Sequence, residues 1–241
     1  MNTDKNTYTI VYAAIMVVVA AVLLAGAATV LKPSQQMNEK VDKMQQILRS
    51  IDQRPSAAEV EKTYKEFIQK ELLVSQVGEI VGEYSGDDLA NSEAFKMNTE
   101  FAFKAKDYSK LPVYVAQVGD KTAYILPLNG AGLWGPIWGY IALDAEDRST
   151  VLGIDFGNKG ETPGLGAEIS TDDFAAKFRG KEVFKLGEFK SIAVVKPGSH
   201  PSDQDYVDGI SGGTLTSDGV HAMLHACLAP YQKFLETSNA Q

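Results

Sequence analysis

Residues 208–217 read Asp208-Gly-Ile-Ser-Gly-Gly-Thr214-Leu-Thr-Ser217 and stand directly before a C-terminal helical pattern. A glycine-bearing turn with clustered hydroxyls at a helix start favours an anion, because backbone N–H groups and the positive end of the helix dipole point at the same place. Glycine also lets the backbone approach a ligand closely. The same residue types build ordinary turns and helix caps, so this segment alone leaves both interpretations open.

The helix after this segment is predicted from about Ser217 to Leu235. Its buried face is marked at helical spacing by Val220, Leu224, Cys227, Tyr231 and Phe234. Pro230 lies within the pattern and should kink the helix or force it to restart.

The segment from Asp208 to Thr214 resembles the flavinylation motif of bacterial proteins that carry FMN as a phosphoester on threonine. In those proteins the motif runs Asp-Gly-x-Ser/Thr-Gly-Ala-Thr, and the last threonine takes the flavin. By this resemblance the acceptor is Thr214. Gly213 departs from the motif, where alanine is usual, and the difference is one methyl group.

Two further segments narrow the resemblance, namely Gly160-Glu-Thr-Pro-Gly-Leu-Gly166 and Gly132-Leu-Trp-Gly-Pro-Ile-Trp-Gly-Tyr140. Together with an apolar N-terminal segment, they make nearly the whole chain similar to the C-subunit family of Na⁺-translocating NADH:quinone reductases. Two alternatives stay open. One is the homologous G subunit of Rnf-type ferredoxin:NAD⁺ complexes, and the other is a membrane-anchored, non-redox binding module with an unmodified Thr214.

The resemblance implies an electron carrier with covalent FMN, which takes electrons from an iron–sulfur or iron centre and passes them to the next flavin toward quinone. The flavin supplies the chemistry, and the protein supplies position and electrostatics. We expect Thr214 to be the substrate of an external flavin transferase, because a secondary alcohol needs activation and only His221 follows nearby. No residue of the chain is expected to be catalytic. The expected partners are other subunits of the complex, the transferase and membrane lipid.

Around the acceptor, the motif assigns cofactor-binding roles to neighbouring residues. Asp208 is either part of an Asp-Gly turn or a recognition residue for the transferase. Ser211 and Thr216 could donate hydrogen bonds to the phosphate or could cap the helix. Gly212 and Gly213 would let the backbone come close to the phosphate.

The Pro-Gly loop supplies the expected contacts to the isoalloxazine ring. Thr162 would offer a hydroxyl or backbone group to the pyrimidine edge, and Leu165 would form an apolar lid. Glu161 could tune the redox potential or bind a partner, and Gly164 belongs to the turn itself.

Three further predictions concern single side chains. Lys196 could stabilise the anionic reduced ring, or could be an exposed loop lysine. Trp134 could lie near the flavin, although aromatic residues between glycines usually serve packing. His221 and His225 are four residues apart on a helix, but no third ligand accompanies them, so we expect no metal site.

Composition excludes some classes of function. The chain has 241 residues, 44% of them hydrophobic, and a net charge of −8. Such an acidic chain is not expected to bind nucleic acid, because the phosphate backbone requires a basic surface. The single cysteine, Cys227, cannot form an intrachain disulfide and is expected to be a small buried residue.

Residues 8–31 are uncharged and predict a transmembrane helix, since they can cross a hydrocarbon core of roughly 30 Å. The competing interpretation is a signal peptide cleaved near Ala25-Gly-Ala27, but the apolar run is longer than usual for one. Flanking charges leave the orientation undecided. The resemblance implies that residues 1–7 are cytoplasmic and that the soluble domain lies on the periplasmic or outer face of the inner membrane.

The rest of the chain predicts an α+β fold. Residues 32–73 are expected to form a helical hairpin or stalk, with an apolar stripe before Pro55 and a capping box at Ser56-Ala-Ala-Glu59. Residues 74–241 are expected to form the FMN-binding domain, a mixed domain of sheet and helices. Its clearest element is a hairpin around Gly119-Asp120.

Overall fold

The computed structural model describes residues 6–236, with side chains from residue 8 onward. It divides into two compact units, Met1–Asp42 and Lys43–Gln241, and each is described by itself. Residues 1–5 of the predicted cytoplasmic N-terminus and residues 237–241 of the predicted FMN-binding domain lie outside the described residues.

The first unit carries the apolar segment. Helix α1 covers Asn6–Arg49, and its most apolar window has a mean hydropathy of 2.7 and no buried residue. A helix of this length and composition fits a single-pass membrane anchor. Pro33 lies inside α1, so the predicted end at residue 31 is not a helix end. A proline removes one backbone hydrogen bond, and the residues on both sides continue the helix.

The second unit begins inside α1. Met44, Ile47, Leu48 and Ile51 are at most 5% exposed and belong to the core of this unit. The compact unit therefore starts at Lys43 and not at the predicted residue 74. Much of the segment predicted as a separate hairpin or stalk, 32–73, is instead part of the domain, because its apolar stripe needs a core to pack in.

The end of that segment is also a strand and not a helix. Helix α2 covers Val60–Phe67, and β1 follows directly as Ile68–Val74. The sequence does not reveal this change from helix to strand, because Ile68 and Leu72 have helical spacing. Leu72, Leu73 and Val74 are buried in succession, which is typical of a strand that is covered on both faces.

The core of the domain is a six-stranded sheet in the order β2-β1-β3-β4-β5-β6, and all its neighbouring strands are antiparallel. The further strands of this sheet are β2 Ile80–Ser85, β3 Leu111–Val118, β4 Lys121–Ala131, β5 Pro136–Asp144 and β6 Val151–Asn158. The hairpin predicted around Gly119-Asp120 is present as β3–β4.

Shorter elements surround this sheet. The helices are α3 Glu93–Lys96, α4 Thr99–Ala105 and α5 Asp172–Ala176. The strands are β7 Phe184–Lys185 with β8 Glu188–Phe189, and β9 Ala193–Val195 with β10 Tyr206–Asp208. Strands β9 and β10 pair in parallel. From the end of β10 the chain passes directly into the loop at residues 209–213, which leads to the next helix.

Helix α6, Thr214–Leu228, packs against β4. The helix comes very close to the strand at Gly219, where a Cβ would lie 2.3 Å from the carbonyl oxygen of Ala131. At Pro230 the chain passes through a 3₁₀ turn, Ala229–Tyr231, and restarts as α7, Gln232–Glu236. The fold is α+β, as the sequence predicts, and it fixes the start of α6 beside the β4–β5 turn.

Candidate functional site

The loop between β10 and α6 is a closed hydrogen-bonded turn. Gly209 N–H donates to Val195 O at 2.8 Å, and Gly213 N–H donates to Ile210 O at 3.0 Å. Ile210 N–H donates to Ser217 Oγ at 2.9 Å. Ser217 is buried, and sequence analysis missed its role because the partner stands seven residues earlier, across the turn.

Thr214 is the first residue of α6, and its side chain is exposed. No side chain caps the helix at Gly213. The first bond of the helix ladder runs from Ser217 N–H to Gly213 O at 2.9 Å. The N–H groups of Thr214, Leu215 and Thr216 therefore have no acceptor within α6. Such a helix start can hold an anion next to the Thr214 hydroxyl.

Two cavities meet at this threonine. The larger has a volume of about 370 Å³ and is lined by Leu133, Trp134, Glu161, Thr162, Leu165, Gly166, Gly212, Gly213, Thr214, Leu215 and Thr216. The smaller has a volume of about 200 Å³ and is lined by Val195, Lys196, Pro197, Gly209, Ile210, Ser211, Gly212, Thr214, Ser217 and Asp218. A molecule attached at Thr214 could therefore extend into either one.

The larger cavity is bordered by apolar side chains that face solvent. Trp134 is 69% exposed and Leu215 is 60% exposed, and Leu133 and Leu165 are also exposed. Exposed apolar groups gathered around one cavity indicate a binding surface for a partly apolar ligand. Leu133 and Leu215 are not among the predicted site residues. Each stands directly beside a predicted one, Trp134 or Thr214, and this adjacency could have indicated them.

The glycines of the site, two in the loop before α6 and one in the Pro-Gly loop, have different roles. Gly212 has a φ of +77°, in the left-handed region that suits glycine. A Cβ on Gly213 would lie 3.1 Å from Ile210 Cβ, which is a tight contact. Gly164 also has a positive φ and donates its N–H to Glu168 Oε1 at 2.9 Å, but it does not line either cavity. It shapes the turn that presents Thr162 and Leu165.

The polar residues predicted at the site separate into two groups. Lys196 and Ser211 line the smaller cavity, whereas Thr162 lines the larger one. Lys196 thus lines a different cavity from the residues expected to contact the ring. Asp208 is exposed at the end of β10 and lines neither cavity; its carbonyl oxygen accepts a hydrogen bond from Lys177 Nζ at 3.4 Å.

Glu161 and Thr216 form a buried pair beneath the larger cavity. Thr216 is 1% exposed, and its hydroxyl donates to Glu161 Oε2 at 2.5 Å. For Thr216 the sequence leaves open a phosphate donor or a helix cap, and in the structure its hydroxyl donates to this carboxylate. Glu161 Oε1 accepts from the backbone N–H of Trp134 at 2.9 Å.

The histidines and the cysteine of α6 have structural contacts. His221 Nδ1 accepts a hydrogen bond from Val194 N–H at 3.3 Å, and the His225 ring packs against Phe189. Burial raises the pKa of the Cys227 thiol to about 12. Within residues 6–236 no group of three or more His, Cys, Asp or Glu side chains could hold a metal ion.

Comparison with known proteins identifies the family. Residues 132–229 match the family model described as the FMN-binding domain. The C subunit of the Na(+)-translocating NADH-quinone reductase from Haemophilus ducreyi is 30% identical over 91% of this chain and 88% of its own length. The chain belongs to this C-subunit family.

Other members agree over the same length. The corresponding protein of Neisseria meningitidis is 30% identical over 99% of this chain and 98% of its own length. The crystal structure of the C subunit from Parabacteroides distasonis shares 51% identity and a TM-score of 0.76, covering 85% of this chain and 96% of that one. The Shewanella oneidensis NqrC structure, at 24% identity and a TM-score of 0.64, supports the fold; it covers 85% of this chain and 100% of that one.

The site fits the FMN that the family model names. The apolar border of the larger cavity suits a flat ring system, and the uncapped start of α6 suits a phosphate. Of the alternatives left open by the sequence, the comparisons support the C-subunit family, and the FMN-binding domain argues against a non-redox binding module.

Proposed function

We propose that this chain carries FMN esterified to Thr214 and relays electrons within a membrane-bound, Na⁺-translocating NADH:quinone reductase. Electrons would arrive from an iron–sulfur or iron centre and leave to the next flavin toward quinone. The observation that carries the proposal is the position of the Thr214 side chain, which is exposed at an uncapped helix start between two cavities.

Each part of the site has a role in this proposal. The N–H groups of Thr214, Leu215 and Thr216 would hold the phosphate, with Ser211 and Lys196 on the side of the smaller cavity. The exposed apolar side chains, together with Thr162, would hold the ring at the larger cavity. Bound FMN supplies the redox chemistry, and these residues fix its position.

Attachment requires a second protein. Esterification by FMN alone would release water and is unfavourable in water, so the donor must be an activated flavin phosphate such as a flavin dinucleotide. The bond from Thr214 Oγ to phosphorus forms, the pyrophosphate bond breaks, and a nucleoside monophosphate leaves. A base takes the proton of the Thr214 hydroxyl. His221 already uses Nδ1 for Val194 N–H, which supports a base supplied by an external flavin transferase, with Asp208 as an exposed recognition residue.

The remaining functions of the complex would belong to other subunits. One apolar helix anchors the chain in the membrane but cannot by itself form an ion pathway. No Gly-x-Gly-x-x-Gly follows a predicted strand, so NADH would be oxidised elsewhere. In this proposal the flavin domain lies on the periplasmic or outer face of the inner membrane, and covalent attachment prevents loss of FMN there. The isolated chain should show no turnover with NADH or quinone.

Intact mass tests the proposal. The full chain is expressed with and without a flavin transferase, and we expect a mass increase of one esterified FMN only with the enzyme. Thr214→Ala should abolish the increase, whereas Ser199→Ala, which removes an exposed hydroxyl outside both cavities, should keep it. A wild-type chain that stays unmodified beside the transferase would refute covalent attachment.

A further inference from the structure

Glu161 occupies an unusual place for a charged side chain. It is only 6% exposed, yet it lines the larger cavity. Both carboxylate oxygens accept hydrogen bonds, Oε1 from Trp134 N–H at 2.9 Å and Oε2 from the Thr216 hydroxyl at 2.5 Å. A carboxylate that accepts at both oxygens has the pattern of the ionised form.

The surrounding backbone leaves room for this carboxylate at two glycines. A Cβ on Gly132 would lie 2.4 Å from Glu161 Oε1, and a Cβ on Gly166 would lie 2.4 Å from Glu161 Oε2. The two glycines come from separate segments, Gly132 at the start of the β4–β5 turn and Gly166 at the start of the 3₁₀ turn Gly166–Ser170. The carboxylate therefore sits where three segments of the site converge.

The lining of the larger cavity contains no lysine or arginine among the described residues. Lys196 lines the smaller cavity, and Lys159, two residues before Glu161, lines neither of the two cavities. A buried charge without a counter-ion is costly. Its two hydrogen bonds offset part of that cost, and they join the turn that carries Trp134 to the first turn of α6.

We propose that Glu161 is a positioning residue that joins the Trp134 turn to the start of α6 and holds a negative charge against the flavin, which makes the flavin harder to reduce. The inference rests on the proposed function and adds a determinant of potential to it. Reduction adds electrons to the flavin, and a fixed negative charge nearby opposes this strongly where water is partly excluded. Glu161 would thus act on the flavin through charge and through the position of the residues it holds.

The test compares midpoint potentials of the flavin in the full, flavinylated chain. Glu161→Gln keeps the size of the side chain and an acceptor for Trp134 N–H, but it removes the charge. We expect the midpoint potential of the flavin in this variant to be more positive by at least about 59 mV. For a one-electron step this is a tenfold change in the redox equilibrium. Glu161→Asp keeps the charge and should stay near the wild-type potential although packing is disturbed.

The matched control is Glu168→Gln. Glu168 lies in the same loop, is only partly buried and accepts from Gly164 N–H at 2.9 Å, so its replacement should leave the potential unchanged. A Gln variant that takes up no flavin while the Asp variant and the control do so would support the positioning role of Glu161, because Gln replaces the acceptor of the Thr216 hydroxyl with an NH₂ donor.

Three results would overturn the inference. They are a wild-type potential in Glu161→Gln, an equal shift in Glu161→Asp and Glu161→Gln, and loss of flavin from both variants, which would indicate packing alone. The intact mass of the wild-type chain shows whether only the inference about Glu161 fails or the proposed function fails as well. An unmodified wild type removes the basis of both, whereas a modified wild type with any of these three results refutes only the role of Glu161.

Discussion

Among the described residues of this domain two glutamates are buried, Glu71 and Glu161, and their surroundings differ. Glu71, on β1, is fully buried and accepts from the Tyr64 hydroxyl at 2.7 Å and from Ala90 N–H at 2.8 Å. The Ser92 hydroxyl donates to its other oxygen. Glu161 accepts from one backbone N–H and one hydroxyl, and it borders a cavity that opens to solvent.

The two glutamates differ more in the charged groups near them than in their hydrogen bonds. Glu71 attracts the buried ammonium of Lys43 and thereby raises the pKa of that lysine, although burial lowers it more. The larger cavity beside Glu161 has no cation among its described lining residues. A buried carboxylate with three donors and a cation is a structural brace, whereas one with two donors beside a ligand cavity can act on a ligand. Variants at each residue can test this contrast.

The largest effect on stability is expected from Glu71→Ala. It leaves the Tyr64 hydroxyl, Ala90 N–H and the Ser92 hydroxyl without their acceptor, and it leaves Lys43 without its attracting charge. We expect the free energy of unfolding to fall by about 3–5 kcal/mol, as for other buried charge partners. Chemical denaturation of the detergent-solubilised chain measures this change. In molecules that stay folded, the flavin potential should not move; a shift like that expected for Glu161→Gln would break the contrast.

The next effect is a pH dependence from Lys43. Burial lowers the pKa of Lys43 from 10.5 to about 8, against the attraction of Glu71. Below pH 8 the ammonium is charged in both states, and its burial destabilises the fold. Between about pH 8 and 10.5 the unfolded chain binds more protons than the folded chain, so stability should rise with pH by about 3 kcal/mol in total.

The difference between two pH profiles separates the contribution of Lys43 from that of other groups that titrate in the same range. The pH profile of unfolding is measured for the wild type and for Lys43→Met, and the rise should be present only in the wild type. Lys65→Met is the matched control, because Lys65 is a solvent-exposed partner of Glu61 at i,i+4 and should preserve the rise. Identical profiles for wild type and Lys43→Met would contradict the proposed cause.

A smaller effect is expected when one hydroxyl is removed from each glutamate. Ser92→Ala removes a donor from Glu71, and Thr216→Val removes a donor from Glu161. Each change leaves a buried acceptor unsatisfied and should cost about 1–3 kcal/mol of stability. Only Thr216→Val should also change the visible spectrum or potential of the flavin. Equal effects of both variants on the flavin would show that the two glutamates do not differ in the proposed way.

The sequence predicted the parts of this molecule that depend on local pattern. A helix start close to Thr214, the break at Pro230 and the β3–β4 hairpin each follow from residues within a few positions of one another, although α6 begins at Thr214 and not at the predicted Ser217. The partners of Glu161 are 27 and 55 residues away, and no local pattern indicates them. The sequence does not indicate a buried Glu71, because the pattern of its segment predicts a helix, on which a polar residue is normally exposed.

The smallest expected effect concerns the departure from the flavinylation motif at Gly213. Gly213→Ala restores the usual alanine at a φ of −109°, which any residue can adopt. The new Cβ would lie 3.1 Å from Ile210 Cβ and 3.3 Å from Gly166 N, so the loop must shift slightly. The cost of this shift offsets the stabilisation that comes from the lower conformational entropy of the unfolded chain.

We therefore expect a change in stability of less than about 1 kcal/mol, and flavinylation at least as complete as in the wild type. Gly212→Ala is the control with the opposite expectation, because its φ is +77° and a Cβ would lie 2.8 Å from Leu165 Cδ2. It should be clearly less stable and should displace Leu165 from the larger cavity. If Gly213→Ala is as harmful as Gly212→Ala, this loop has diverged from the motif by more than one methyl group, because the contacts with Ile210 and Gly166 then leave no room for the alanine that the motif usually carries.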